Sequence, residues 1–321
     1  MPGFVLTGPS FGLRRWTCVA DLTAVLGPLQ LPNPVLVASG TFGYGEEYGT
    51  YIDLNRLGGI MVKGTTLHPR RGNRPPRIVE TPAGLLNSVG LQNPGVDAVI
   101  SEELPKLKEL KCPVIVNIAG STVDEYAQVA ARLDGHPTVA ALEINVSCPN
   151  VNEGGMAFGT DPAMVREVVQ AVRGSTDLPL ICKLSPNVGD IVQVAEAAVE
   201  AGAQILSLIN TVLGMSIDVG TRRPTLTNVF GGLSGPAIRP IAVRMVWEVY
   251  QALRVPIIGM GGIASGRDAL EFILAGAGAV AVGSANFTDP GVCLKIIREL
   301  EEYIEAQGLD GLSSLVGAAH P

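Results

Sequence analysis

The sequence predicts an α/β fold, a single-domain (β/α)8 TIM barrel with long loops over its C-terminal face. Eight short apolar runs rich in Val and Ile recur along the 321 residues, as expected of strands buried on both faces of a parallel sheet. Amphipathic stretches separate many of these runs, giving the strand and helix alternation of a barrel. Polar residues gather where the runs end, and barrel enzymes build their sites at the C-terminal ends of their strands.

The eight runs lie at 34–38, 59–63, 114–118, 142–146, 180–184, 205–209, 256–260 and 279–282. Helical periodicity marks 123–133, 162–173, 190–201, 237–253 and 266–275, and 292–306 reads as a closing amphipathic helix. The rival is an open doubly wound sheet. Its G-x-G-x-x-G signature is absent from Ala38-Ser39-Gly40-Thr41-Phe42-Gly43, after the first run. Two stretches are long for barrel loops: 64–100, with Pro69, Pro75, Pro76, Pro82 and Pro94, and the glycine-rich 211–236. Connections longer than about 12–15 residues are usually functional, so both are expected to fold over the barrel mouth as site walls or partner surfaces. Residues 1–17 read as a flexible N-terminal extension, 18–306 as the barrel, and 307–321 as a tail, weakly structured from Leu309 onward.

A hydrophobic content of 47%, against 17% charged residues, describes a core-rich chain. A net charge of −7 and the absence of a basic stripe argue against nucleic-acid binding. The cysteines at 18, 112, 148, 182 and 293 form no C-x-x-C pair and have no histidine at metal-ligand spacing, so no metal is expected. Their odd number, without a secretory signal pattern, fits a reducing cytoplasm. No apolar run approaches the ~18 residues of a membrane span, so a soluble chain is expected.

The strand ends supply the chemistry. Ser39 ends the first run, Lys63-Gly64-Thr65 the second, Asn117 the third, Lys183 the fifth and Asn210-Thr211 the sixth. The fourth run delivers Cys148 to a loop among Asn145, Ser147 and Asn150, where a buried structural thiol is the plainer alternative. Gly261-Gly262 and Gly283-Ser284 follow the last two strands, where barrels commonly hold a phosphate on backbone N–H groups. A lysine at the end of a buried strand is costly unless it meets an anion or a cavity. Lys63 and Lys183 with a phosphate cradle suit FMN, whose reduced ring a lysine would stabilise; a Schiff base with a phosphorylated carbonyl substrate is the principal non-redox alternative. Amides in Asn87-Ser88-Val89-Gly90-Leu91-Gln92-Asn93-Pro94, with Asn145, Asn150 and Asn210, offer paired donors and acceptors for a ring carrying imide groups and a carboxylate.

Asn-Val-Ser-Cys-Pro-Asn at 145–150, Gly-Gly-Met-Ala-Phe-Gly at 154–159, Asn-Ser-Val-Gly-Leu-Gln-Asn-Pro-Gly at 87–95 and Gly-Gly-Leu-Ser-Gly-Pro-Ala at 231–237 resemble the dihydroorotate dehydrogenases. The resemblance spans roughly 20–306 and is nearest to the class 1B catalytic subunits. Class 2 enzymes carry serine where Cys148 stands, and no membrane-binding N-terminal domain is recognisable here. The resemblance implies oxidation of (S)-dihydroorotate to orotate in pyrimidine biosynthesis, with Cys148 removing the C5 proton as hydride leaves C6 for flavin N5. It places Lys63, Asn87, Ser88, Val89, Gly90, Leu91, Asn145, Asn150, Asn210 and Thr211 at the substrate. It places Ser39, Lys63, Gly64, Asn117, Asn145, Lys183, Ile209, Gly235, Gly261, Gly262, Gly283 and Ser284 at one FMN per subunit. It further implies a homodimeric core within a heterotetramer, whose partner subunit carries FAD and a [2Fe-2S] cluster and passes electrons to NAD. Ser284 departs from the threonine common in the family but keeps the hydroxyl. A dihydropyrimidine dehydrogenase-like subunit acting on uracil or thymine would carry histidine where Asn150 stands. A Schiff-base aldolase, or a barrel that binds without chemistry, remains as a reading from another class.

Overall fold

The structure is a computed structural model in which residues 21–147 and 158–321 are described. Eight parallel strands close into a barrel. They are β1 (Val35–Val37), β2 (Gly59–Thr65), β3 (Val114–Ile118), β4 (Val139–Asn145), β5 (Leu180–Lys183), β6 (Ile205–Leu208), β7 (Ile257–Met260) and β8 (Ala279–Val282). Each pairs with the next in sequence, and β8 closes on β1 with Val280 opposite Val35.

Period-two alternation divides the strand side chains between two cores. Val35, Val37, Ile60, Val62, Val114, Val116, Leu142, Ile144, Leu206 and Val280 pack outward in one cluster with the helices. Leu36, Met61, Ile115, Ala141, Ile181, Ile205, Ile258 and Ala279 form a second cluster inside the barrel. Burial of each large aliphatic side chain contributes roughly 1.5–3 kcal/mol, which is why these runs are apolar on both faces. An antiparallel hairpin, Ala24–Leu26 with Leu29–Leu31, adds its buried alanine and leucines to the interior cluster. Leu26 reaches Gly278, just before β8, so the hairpin plugs the N-terminal end and leaves the opposite mouth for the site.

Helices Val123–Leu133, Pro162–Arg173, Ile191–Glu200, Arg239–Leu253, Gly266–Ala275 and Val292–Gln307 follow the periodic stretches. Four start on side-chain caps: Thr122, Asp161, Asp190 and Ser265 each accept from first-turn N–H groups. Between β1 and β2 the chain makes only short 3-10 turns, Tyr48–Thr50 and Leu54–Arg56. Before β3, helical residues 96–107 include a π turn at Val99–Glu103, ahead of Pro105, which lacks a helical donor.

The two long loops join each other. Ile78–Thr81, Gly84–Asn87, Phe230–Ser234 and Val212–Met215 form one antiparallel sheet, in which Gly232 pairs with Asn87 and Leu233 with Val212. The C-terminal segment departs from the weak structure expected of it. Leu312 and Leu315 are buried, and the His320 ring stacks on Trp247 with centroids 3.6 Å apart. This order comes from tertiary packing, which leaves no period in so short a sequence. The expected extension, residues 1–17, lies outside the described residues, and none of the described helices is long and apolar enough to cross a membrane.

Candidate active site

On four adjacent strands the barrel interior turns polar one step above its apolar layer. Two residues beyond Ile115, Ala141, Ile181 and Ile205 stand Asn117, Glu143, Lys183 and Ser207, all buried. Asn117 Nδ2 donates to Glu143 Oε2 at 2.6 Å, and Ser207 Oγ donates to Glu143 Oε1 at 2.8 Å. Lys183 Nζ lies 3.7 Å from Glu143 Oε2 and 3.5 Å from Ser39 Oγ at the end of β1. Charges withdrawn from water need such partners. Burial and the charge of Glu143 push the neighbouring Cys182 thiol up to about 12.

Above this layer, amides link the ends of β4 and β6. Asn210 Nδ2 donates to Asn145 Oδ1 at 3.2 Å and to Ser147 Oγ at 2.9 Å, while Thr211 N donates to Asn210 Oδ1 at 2.8 Å. Tyr126 Oη fixes the strand end by donating to the Asn145 carbonyl at 2.7 Å. The loop sheet brings Asn87 to the same side, its Nδ2 donating to Gly232 O at 3.2 Å, and a Cβ on Gly232 would collide with Thr211 Oγ1. Residues 88–91 are held from behind: Asn73 Nδ2 donates to Ser88 O, and Asn93 Nδ2 donates to Leu91 O, both at 2.8 Å. Ser88 Oγ is buried without a hydrogen-bond partner, a polar group left with open hydrogen-bonding capacity. Leu91 packs toward Gly64, where a Cβ would lie 3.0 Å from Asn117 Oδ1.

Lys63 lines a cavity of about 460 Å³ with Ser39, Gly40, Glu47, Tyr48, Asn286 and Phe287. No carboxylate among the described residues pairs with it. Behind the mouth Gly235, Gly261 and Gly262 come together. A Cβ on Gly262 (φ +75°) would meet Gly235 O at 2.6 Å and Pro236 Cα at 3.0 Å, so only glycine permits this approach of two turns. Gly261 and Ile209 are adjacent through Ile209 N donating to Met260 O, and Gly283-Ser284 lead into helix Ala285–Thr288. Helix starts and glycine turns leave N–H donors for an anion.

Of the predicted site residues within the described chain, Ser39, Lys63, Gly64, Asn117, Asn145, Lys183, Ile209, Asn210 and Thr211 stand in or just beyond the C-terminal ends of barrel strands. Asn87 ends a strand of the loop sheet with residues 88–91 following it, and Gly235, Gly261, Gly262, Gly283 and Ser284 lie in turns. Cys148 and Asn150 lie outside the described residues. Sequence reasoning missed Glu143 and Ser207. The signal was parity: Glu143 stands two residues before Asn145, on the interior side of β4.

A closed parallel barrel with a polar interior layer and an amide-rich mouth defines the class: a (β/α)8 barrel with its candidate site at the C-terminal ends of the strands. The dihydroorotate dehydrogenase family model matches residues 22–304, and the chain belongs to that family. It is 62% identical over 302 residues to the dihydroorotate dehydrogenase B (NAD(+)) catalytic subunit of Desulforudis audaxviator, covering 94% of this chain and 98% of the relative. It is 58% identical to the subunit of the same name from Desulforamulus reducens, over 94% and 99%, and 55% identical to that of Geobacter sp. (strain M21), over 93% and 98%.

Proposed function

We propose that this chain is the catalytic subunit of an NAD-linked dihydroorotate dehydrogenase, oxidising (S)-dihydroorotate to orotate in pyrimidine synthesis. The observation that carries the reading is the stacking of two polar layers, Asn117–Glu143–Lys183–Ser207 below and Asn145–Ser147–Asn210 above, in a chain whose relatives bear that name. The residues present suit FMN. A buried lysine opens toward Ser39, and a Cβ on Gly40 at the mouth would meet nothing within 4 Å, which leaves space beside it. When bound, FMN supplies the acceptor for the hydride that leaves C6.

The chain's own residues do the rest. Cys148 takes the C5 proton, and with loss of the C6 hydride the C5–C6 bond becomes double, which balances the two-electron oxidation. The amides of Asn87, Asn145, Asn150 and Asn210, with Thr211 and Ser88, hold the imide edge; Lys63 supplies the free cation for the carboxylate. Residues 88–91 cover the ring and exclude water. Ser39, Gly64, Asn117, Lys183, Ile209, Gly235, Gly261, Gly262, Gly283 and Ser284 hold the cofactor.

The word subunit in the relatives' names supports a partner, which in this reading carries FAD and a [2Fe-2S] cluster, delivers electrons to NAD, and works with this chain in the cytoplasm. Exposed Leu213, Met215, Ile217 and Phe230 on and beside the loop sheet supply an apolar face for the homodimeric core of a heterotetramer. The test is the anaerobic visible spectrum of the FMN-loaded protein. Bleaching of the flavin band by dihydroorotate is expected; a band that persists with dihydroorotate but responds to dihydrouracil moves the substrate to the dihydropyrimidines. Failure to take up FMN, with borohydride trapping of a carbonyl substrate on a lysine, overturns the redox reading.

A further inference from the structure

We infer that Glu143 is a positioning residue that offsets the charge of Lys183 and thereby holds the reduction potential of the flavin down. The inference rests on the FMN reading above. Glu143 has no exposed surface, and both carboxylate oxygens are committed to short hydrogen bonds from neutral donors on β3 and β6. Lys183 is held more loosely. Its two contacts, at 3.7 and 3.5 Å, are longer than the 2.7–2.9 Å typical of a charge-assisted hydrogen bond, so the ammonium keeps donors for a further acceptor.

The carboxylate is thus fixed, while the cation is free to serve a ligand. Together they bring no net charge into a water-excluded interior, where like and unlike charges act strongly. Two-electron reduction makes a flavin ring more negative. Lys183 favours that change and Glu143 opposes it, so removal of either charge moves the equilibrium in opposite directions.

Glu143→Gln preserves side-chain shape, and the Asn117 amide can turn to present its oxygen to the new NH2 group. The experiment is an anaerobic spectroelectrochemical titration of FMN-loaded wild type, Glu143→Gln, Glu143→Asp, Lys183→Met and the Glu143→Gln/Lys183→Met double variant. FMN uptake is first measured by quenching of flavin fluorescence.

Glu143→Gln is expected to favour reduced over oxidised FMN by about tenfold, a rise of ~30 mV for a two-electron couple. Lys183→Met is expected to lower the potential. Glu143→Asp and the double variant are expected to lie nearer wild type than either neutralised single variant. A purely structural role would loosen FMN in all variants without this reversal of sign. An unchanged or lowered potential in Glu143→Gln overturns the inference while leaving the cofactor reading intact; wild type that takes up no FMN removes both. If Glu143→Gln does not fold, the double variant decides: a potential equal to that of Lys183→Met overturns the inference, and one restored toward wild type supports it.

Discussion

Lys63 and Lys183 share a position at the end of a barrel strand but not an environment. Lys183 sits against Glu143, whereas Lys63 shares an open cavity with Glu47 but forms no ion pair with it or with any other carboxylate among the described residues. The unpaired cation is the one free to meet a substrate carboxylate, and hydrogen bonds to charged groups contribute roughly 1.5–3 kcal/mol. Lys63→Ala is therefore expected to raise KM for dihydroorotate by about 10- to 100-fold while the flavin band remains, measured by steady-state kinetics beside the spectrum. Cys148→Ala is expected to keep the flavin but slow its reduction by dihydroorotate by at least ~100-fold, the scale of general base catalysis. Because an ordinary thiol ionises near ~8.5, the wild-type reduction rate should climb from pH 7 to 9. A rate independent of pH, or unaffected by the substitution, would take Cys148 out of the mechanism. The amides and lysines were legible in the sequence because each ends an apolar run, where a polar residue is conspicuous. Glu143 was not: it lies within β4, and only the interior parity it shares with Asn145 and Ala141 sets it apart from a surface glutamate.

Strand and helix positions were legible because burial on both strand faces and on one helix face leaves unmistakable periods. Runs 114–118 and 279–282 coincide with β3 and β8, and each of the others differs by one to three residues at one or both ends. What escaped was the order within the two long loops, which depends on their pairing with each other. The loop sheet needs Phe230–Ser234 to pair with Gly84–Asn87, more than a hundred residues away, and glycine-rich segments carry no alternation to announce it. That pairing has an experimental consequence. A Cβ at Gly84 (φ +154°) would collide with Ser234 O, so Gly84→Ala should part the two loops, weaken substrate binding through Asn87 and leave the barrel standing. Titration with orotate and a thermal melt together check this: loss of orotate affinity with a nearly unchanged Tm is the expected pair of results. The helix caps act more locally. Asp190 Oδ1 accepts from Val192 N and Gln193 N, and Asp190→Ala should cost about 1 kcal/mol of stability, read as a lowered midpoint in urea with flavin binding retained.

For the molecule as a whole, the cysteines report how the barrel partitions its thiols. Burial raises Cys112 to about 11 and, with the charge of Glu143 adding at the second and that of Asp289 at the third, Cys182 and Cys293 to about 12. All three pack in the layer between barrel and helices. As neutral thiols they react slowly, since the thiolate is the nucleophile. In the folded protein at pH 8, iodoacetamide should modify Cys148 well before these three, and mass mapping of a time course checks the order. The same shifts fix the sign of an alkaline instability. An unfolded thiol loses its proton near ~8.5, while the native state keeps all three protons to much higher pH. Between those limits the native state binds more protons than the unfolded chain, so stability falls as pH rises. The contribution is fully present below about pH 8.5 and is lost progressively toward the folded values. Thermal melts from pH 7.5 to 10.5 should show a declining Tm, with a shallower decline in Cys293→Ala, whose titrating thiol is gone. Parallel declines in the two proteins would assign the alkaline loss to groups other than this buried thiol.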